Sequence, residues 1–95
     1  MSSVNASHIL VKTENEALDI LKKIVSKEIS FEDAAKKFSL CPSKKQGGSL
    51  GSFERGMMVA EFDEACFDTK NKVGDIVGPI KTQFGFHLIK INGIY

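Results

Sequence analysis

The sequence predicts a single α+β domain in which helices pack against one β-sheet. Two observations predict it: β-rich apolar runs lie near both ends of the 95-residue chain, and two helix-start signals lie between them. A chain of this length forms one folding unit. We therefore expect residues 1–95 to be one domain, with residues 1–5 flexible.

The first half of the chain predicts one strand followed by two helices. The run SHILV at 7–11 predicts a strand that is buried on both faces. Thr13 begins a capping box and predicts a helix that ends near Lys27, and Ser30 begins a second, shorter helix. The apolar residues expected to face the core are Ala17, Leu18, Leu21, Ile24 and Val25 in the first helix, and Phe31, Ala34, Ala35 and Phe38 in the second.

The second half predicts a glycine-bounded strand, a short helix and two further strands. Pro42 ends regular structure near Cys41, because a residue before proline is driven toward extended geometry. Four glycines between Gln46 and Gly56 predict tight turns around a strand at 50–53. A short helix at 58–67 and extended segments at 76–82 and 86–91 follow, and Pro79 favours an edge position.

Composition and charge exclude several classes of protein. The formal net charge of +1 argues against nucleic acid as a partner, and the two cysteines match no zinc-site spacing, so we expect no metal. No segment is typical of export or membrane insertion, which predicts a cytoplasmic monomer. Three lysine doublets are most simply solvated faces, with a patch for anionic lipid as the alternative: Lys22-Lys23, Lys36-Lys37 and Lys44-Lys45.

Both histidines lie in strands that are otherwise largely apolar. His8 and His87 are at opposite ends of the chain, but first and last strands can be neighbours in a sheet, and two imidazoles can then share a hydrogen bond. From these residues alone, two unrelated core histidines satisfied by nearby hydroxyls remain the commoner arrangement. The pattern therefore indicates a candidate site without assigning its chemistry.

Four linked segments change this interpretation: HILVK at 8–12, FSLCPSKKQGGSLGSFERGMM at 38–58, Phe62, and GPIKTQFGFHLIKI at 78–91. In order and spacing, over nearly the whole chain, they resemble the parvulin family of peptidyl-prolyl cis/trans isomerases. The resemblance implies a four-stranded, largely antiparallel sheet flanked by helices, with a catalytic groove on one face. It also implies an enzyme that rotates the bond before proline in polypeptide substrates, assists folding and needs no cofactor.

The resemblance assigns the polar site residues one at a time. His8 and His87 correspond to the family's histidine pair. Cys41 occupies a position where relatives have cysteine or aspartate, which implies a polarising group and not a covalent nucleophile. Thr82 belongs to the same hydrogen-bond network, with Ser39 as a weaker member, and Cys66 is expected in the core.

The resemblance also assigns an apolar pocket for the proline ring. Leu50, Met58 and Phe62 correspond to its walls, and Phe84 and Phe53 either line it or pack beneath it. Phosphate-directed relatives carry a basic loop after the first strand, whereas this chain has only Lys12-Thr13-Glu14 there. We therefore expect no selectivity for a phosphorylated residue before proline.

Two other functions remain open from the sequence. One is a peptide-binding or chaperone module that keeps the fold without catalysis. The other is a thiol enzyme using Cys41 and a histidine, although no third, orienting carboxylate is evident.

Overall fold

The structure is a computed structural model that describes residues 3–95. Its elements follow the predicted order, with one short 3-10 helix that was not predicted. They are β1 (Ser3–Val11), α1 (Glu14–Val25), α2 (Phe31–Phe38), the 3-10 helix (Pro42–Gln46), β2 (Ser49–Glu54), α3 (Ala60–Cys66), β3 (Ile76–Thr82) and β4 (Gly85–Ile94). No helix in this described part of the chain is both long and apolar enough to cross a membrane.

The four strands form one antiparallel sheet in the order β2-β1-β4-β3. The first and last strands are therefore neighbours at its centre, and the predicted fold class is confirmed. Pro79 lies in β3, an edge strand, at an irregularity in the pairing between Val77 and Ile80. An edge tolerates proline because the missing N–H interrupts no ladder on the outer side.

The sheet is buried on both faces, as the SHILV run predicted. One face carries Ile9, Val11 and Leu88 and packs on α1 and α2. The other face packs on α3 and on Phe53, and its buried strand residues are Val4, Ala6, Ile89 and Ile91. His8 and His87 are buried on this second face, so their environment is set by α3 and not by the two longer helices.

Both predicted helix starts are confirmed by their caps. The Thr13 hydroxyl accepts a hydrogen bond from the Glu16 N–H at 3.2 Å, and the Ser30 hydroxyl accepts one from the Asp33 N–H at 3.1 Å. Helix α1 ends at Val25, close to the predicted end near Lys27, and Lys27 adopts a left-handed φ of 66° that no helix can continue.

The predicted buried face of α1 was partly wrong. Its buried residues are Ala17, Ile20 and Ile24, whereas Leu18 and Val25 are 45% and 69% exposed. Positions 17, 20 and 24 form one stripe at helical spacing, and each exposed residue lies one position further, about 100° around the axis. Both stripes have helical periodicity, so only packing distinguishes them.

Strand β1 begins at Ser3, four residues before the predicted start. The Ser3 N–H donates to the Tyr95 carbonyl at 3.1 Å, and the Tyr95 N–H donates back to the Ser3 carbonyl at 2.8 Å. Residues 3–5 are therefore paired strand and not a flexible terminus. The pairing partner is the far end of the chain, which local sequence does not reveal. Met1 and Ser2 lie outside the described residues.

Two glycines let backbone approach the histidine positions closely. A Cβ on Gly48 would lie 2.4 Å from the carbonyl oxygen of His8, and one on Gly78 would lie 2.5 Å from that of His87. Both glycines have positive φ, 86° and 121°, which other residues rarely adopt. These glycines thus allow the neighbouring segments to pack directly on the two histidine-bearing strands.

Candidate active site

The two histidines meet at the centre of the sheet. His8 Nδ1 and His87 Nδ1 are 3.0 Å apart, and the rings stack with a centroid separation of 5.1 Å and an interplanar angle of 17°. In the β1/β4 ladder His8 lies opposite Ile89 and His87 opposite Leu10, which makes the histidines diagonal neighbours on one face. The alternative interpretation, in which the two histidines are unrelated core residues, is therefore wrong.

Burial keeps both rings neutral near pH 7. Burial and, to a smaller extent, the adjacent His87 lower the pKa of His8 from 6.5 to about 4, and burial also lowers the pKa of His87. In a neutral pair, one Nδ1 must carry the proton and the other must accept it. The direction of that bond depends on the groups at the other ring nitrogens.

Thr82 is the hydrogen-bond partner at His87 Nε2. Its hydroxyl oxygen lies 2.7 Å from His87 Nε2 and accepts a hydrogen bond from the Phe84 N–H at 3.2 Å. Among the described residues, His87 Nε2 is the one acceptor available to the buried hydroxyl hydrogen, and 2.7 Å is typical of an O–H donor. In the arrangement that uses this hydroxyl hydrogen, Thr82 donates to His87 Nε2, and His87 donates from Nδ1 to His8.

The relay ends at His8 Nε2. In that arrangement neutral His8 carries its proton on Nε2, and within residues 3–95 this buried atom has no hydrogen-bond partner. Buried donors without a partner are uncommon. A ligand that enters the pocket lined by His8 can complete the network at this point.

The pocket encloses about 360 Å³ beside the histidine pair, and apolar side chains dominate its lining. It brings together seven of the eight predicted site residues, while Thr82 lies behind His87 and contacts the pocket only through it. The lining residues are His8, Leu10, Leu40, Cys41, Pro42, Leu50, Met58, Val59, Phe62, Phe84 and His87.

Phe62 links the pocket to the histidines. It is only 3% exposed, and its ring meets those of His8 and His87 edge-to-face, with centroid separations of 5.6 and 5.4 Å. Phe53 packs behind it at 6.2 Å and does not line the pocket, whereas Phe84 lines the rim and is 60% exposed. The sequence did not decide whether each of these phenylalanines lines the pocket or packs beneath it. In the structure Phe84 lines the pocket and Phe53 packs beneath it.

Cys41 lies on the pocket wall but forms no hydrogen bond with a described histidine. It is extended, with φ of −82° and ψ of 142°, as expected before Pro42. The Ser39 hydroxyl accepts from the backbone N–H groups of Leu10 and Cys41 at 3.1 and 3.3 Å. The prediction that Ser39 joins the histidine network is therefore wrong, because its hydroxyl fixes the cysteine-bearing segment to β1.

The remaining thiol is structural. Cys66, the last residue of α3, is 1% exposed in the core, and burial, with a smaller effect of Asp63, raises its pKa to about 12. A thiol with that pKa is not nucleophilic near pH 7. Across residues 3–95, no cluster of three or more histidine, cysteine or acidic side chains is suited to a metal ion.

Comparison with known proteins identifies the family. The model of the PPIC-type PPIase domain, or rotamase, matches residues 6–93. The chain belongs to this family, the parvulins. The resemblance inferred from the linked motifs is thereby confirmed, and the domain is a peptidyl-prolyl cis/trans isomerase domain by family.

The relatives that match this parvulin include proteins much longer than this chain and proteins of similar length. It is 45% identical over 92 residues to the foldase protein PrsA of Caldanaerobacter subterraneus. The match covers 96% of this chain but only 29% of that relative. The crystal structure of PrsA from Bacillus anthracis matches with a TM-score of 0.91 and 43% identity, over 99% of the chain and 42% of that structure. The parvuline NmPin of Nitrosopumilus maritimus matches with a TM-score of 0.84 and 42% identity, over 98% of both chains.

Four pocket-lining residues were not among the predicted site residues: Leu10, Leu40, Pro42 and Val59, which directly follows Met58. Leu10 shares a strand face with His8, and Leu40 and Pro42 flank Cys41, so their positions in the sequence indicated that they lie near the site. Proximity in sequence to a site residue indicated them, but only the fold shows which side chains face the pocket.

Proposed function

We propose that this parvulin catalyses cis/trans isomerisation of Xaa-Pro bonds in polypeptides and thereby assists their folding. The observation that carries the proposal is the buried His8–His87 pair, which lies in the wall of an apolar pocket. The PrsA relatives are named foldases, which supports the folding role. Uncatalysed isomerisation takes tens to hundreds of seconds, slow enough to limit folding.

The pocket suits a proline ring and its neighbouring atoms. Its volume of about 360 Å³ lies in the range of small-ligand sites. Leu50, Met58 and Phe62 supply the apolar wall, with Phe62 fixed against both histidines. In the proposed complex, the ring lies against this wall and the bond that rotates lies beside the histidines.

Catalysis requires stronger binding of the twisted bond than of the planar one. Rotation must overcome a barrier of about 18–20 kcal/mol that arises from amide resonance. Twisting removes that resonance and reduces the polarity of the carbonyl, so a pocket that excludes water weakens the solvation advantage of the planar state. The neutral relay from Thr82 through His87 to His8 supplies preorganised hydrogen bonding as the charge distribution changes.

The mechanism we propose is noncovalent. Cys41 is not hydrogen-bonded to a described histidine, and no acidic side chain lines the pocket to orient a Cys–His pair. The lining also contains no lysine or arginine, which supports a substrate that lacks phosphate before proline. A thiol-based reaction and a phosphate-directed one are both less well supported.

Replacing Met58 with alanine is expected to lower kcat/KM for a proline peptide about tenfold or more, because the ring loses an apolar contact. Exchange NMR of an Ala-Pro peptide measures this. Met57→Ala is the matched control, since Met57 is 67% exposed and lies outside the pocket lining. Equal rates for both variants would contradict the pocket assignment, and binding without accelerated exchange by the unmodified protein would favour the chaperone alternative.

We propose further that this parvulin works in the cytoplasm and contacts membrane surfaces through its lysine doublets. Free thiols at Cys41 and Cys66 agree with a reducing compartment. Lys23 of α1 and Lys37 of α2 lie 5.5 and 5.4 Å from the ring centre of Phe38, so two doublets converge on one side of the domain. Anionic headgroups are the lipid chemistry that such a patch attracts.

Sedimentation with vesicles that contain anionic lipid is expected to remove the protein from solution at low salt and release it at about 0.5 M salt, where charges are screened within a few ångströms. The double change Lys36→Gln, Lys37→Gln is expected to weaken binding. The control Lys70→Gln, Lys72→Gln removes the same charge from the loop before β3. Binding that is absent at low salt, or equally affected by both pairs, would contradict the patch.

A further inference from the structure

We propose that Asp63 and Arg55 are positioning residues that hold the turn carrying Met58 against helix α3, which carries Phe62. They thereby fix two walls of the proline pocket relative to each other. The inference rests on the proposed function and names two further residues on which the same site depends. Neither side chain lines the pocket, so both act through residues that do.

The two walls belong to different elements. Phe62 lies in α3, whereas Met58 lies in the turn 55–59 between β2 and α3. Phe62 is buried in the core, but Met58 is only partly buried and its neighbour Met57 is 67% exposed. Core packing therefore fixes Phe62, and the position of Met58 depends on the contacts that hold the turn.

Asp63 makes the first of these contacts. Its Oδ1 accepts a hydrogen bond from the Gly56 N–H at 3.0 Å. Gly56 has a φ of 86°, which other residues rarely adopt, and this conformation directs its N–H toward α3. The bond thus joins the residue next to Phe62 to the turn two residues before Met58. A charged acceptor makes it stronger than a bond between neutral groups.

Arg55 makes the second contact, at the far end of α3. Its guanidinium lies 5.0 Å from the centre of the Phe67 ring and donates to the Phe67 carbonyl at 3.2 Å. Phe67 in turn packs edge-on against Phe53 of β2, with a centroid separation of 5.9 Å. A planar guanidinium can stack and donate at the same time, which a lysine ammonium cannot do. Arg55 is also the one arginine in the sequence.

The two contacts bind the turn to α3 at two places. Gly56 is joined to Asp63 within the helix, and Arg55 is joined to Phe67, the residue that follows the helix. A shift of the turn along α3, or a rotation away from it, would break at least one contact. Turn and helix therefore move as one unit, and Met58 keeps its place relative to Phe62.

Exchange kinetics of an Ala-Pro peptide over a range of concentrations separate kcat from KM. Asp63→Ala is expected to raise KM about threefold or more and to change kcat less than about twofold, because the ring is held less firmly while the histidines are unchanged. Asp63→Asn keeps an Oδ1 acceptor and is expected to restore KM to within about twofold of the unmodified value. Glu64→Ala is the matched control, since it removes the same charge from an exposed neighbouring position of α3.

A double-mutant cycle tests whether Asp63 acts through Met58. In the Met58→Ala background, Asp63→Ala is expected to change kcat/KM by less than about 1.5-fold, because the side chain that it positions is gone. NMR of the methionine methyl groups gives a readout that does not depend on catalysis. The order parameter of the Met58 methyl is expected to fall in Asp63→Ala and in Arg55→Lys, and to stay the same in Glu64→Ala.

The outcomes separate the positioning role from the underlying activity. A lower kcat at unchanged KM, as a smaller folded fraction would give, overturns the assignment while the isomerase function stands. An undiminished effect of Asp63→Ala in the Met58→Ala background does the same. If the unmodified protein accelerates no peptide, the proposed function itself fails. The Met58 order parameter then decides the structural role, and an unchanged value in Asp63→Ala overturns it.

Discussion

Phe62→Ala is expected to destabilise the protein by about 3–5 kcal/mol, the usual effect of removing a buried phenylalanine. Phe62 is 3% exposed and contacts Phe53, His8 and His87, so its removal leaves a cavity directly beneath the histidine pair. Urea unfolding followed by circular dichroism measures the change in the free energy of unfolding. This is a large share of the total stability of a small domain, which is about 5–15 kcal/mol.

Two variants serve as controls for the effect of Phe62→Ala. Phe84→Ala removes the same side chain from a position that is 60% exposed, and is expected to change the free energy of unfolding by about 0.5 kcal/mol or less. Phe62→Leu keeps most of the volume and is expected to cost less than about 1.5 kcal/mol. If Phe62→Ala were no more destabilising than Phe84→Ala, Phe62 would not be the buried support of the site.

Acidification from pH 7 to pH 4 is expected to remove about 3 kcal/mol of stability through His8 alone. The pKa of His8 is lowered to about 4 in the folded protein from an ordinary value of 6.5, and each pKa unit corresponds to about 1.4 kcal/mol. Between these values the unfolded chain binds the proton and the folded protein does not. Stability is therefore complete above pH 6.5 and falls as the pH decreases toward 4.

Urea unfolding at intervals between pH 5 and pH 7.5 measures this effect before most carboxylates titrate. The free energy of unfolding is expected to rise by up to about 1.4 kcal/mol per pH unit for His8, and the lowered pKa of His87 acts in the same direction. His8→Gln keeps a side chain that can hydrogen-bond His87 but does not titrate, so its slope should be shallower. The same slope in both proteins would show that His8 is not buried as a neutral ring.

Local sequence identified most of the elements and misplaced some of their limits. Thr13 and Ser30 marked helix starts correctly, since a capping residue acts within three positions of itself. The same local view assigned Leu18 to the core, because exposed and buried stripes can share one periodicity. It also missed residues 3–5 of β1, whose partners lie at the other end of the chain.

The site residues were predictable mainly because several motifs occur together. His8 and His87 alone favoured unrelated core histidines, and the flanking segments were needed to pair them. The structure then placed seven of the eight predicted side chains in one pocket lining and Thr82 behind His87. It also showed that the Ser39 hydroxyl binds backbone N–H groups, that Phe53 lies beneath the pocket and that Phe84 lies at its rim.

The sequence by itself determined the α+β class, the helix caps, the family and the identity of the histidine pair. These features depend on short-range patterns or on linked motifs that can be compared along the chain. Only the tertiary structure decided the contact between residues 79 positions apart, the hydrogen-bonded chain Thr82–His87–His8 and which side chains line the pocket. Those features depend on strand register and packing, which bring distant residues together and which no local periodicity encodes.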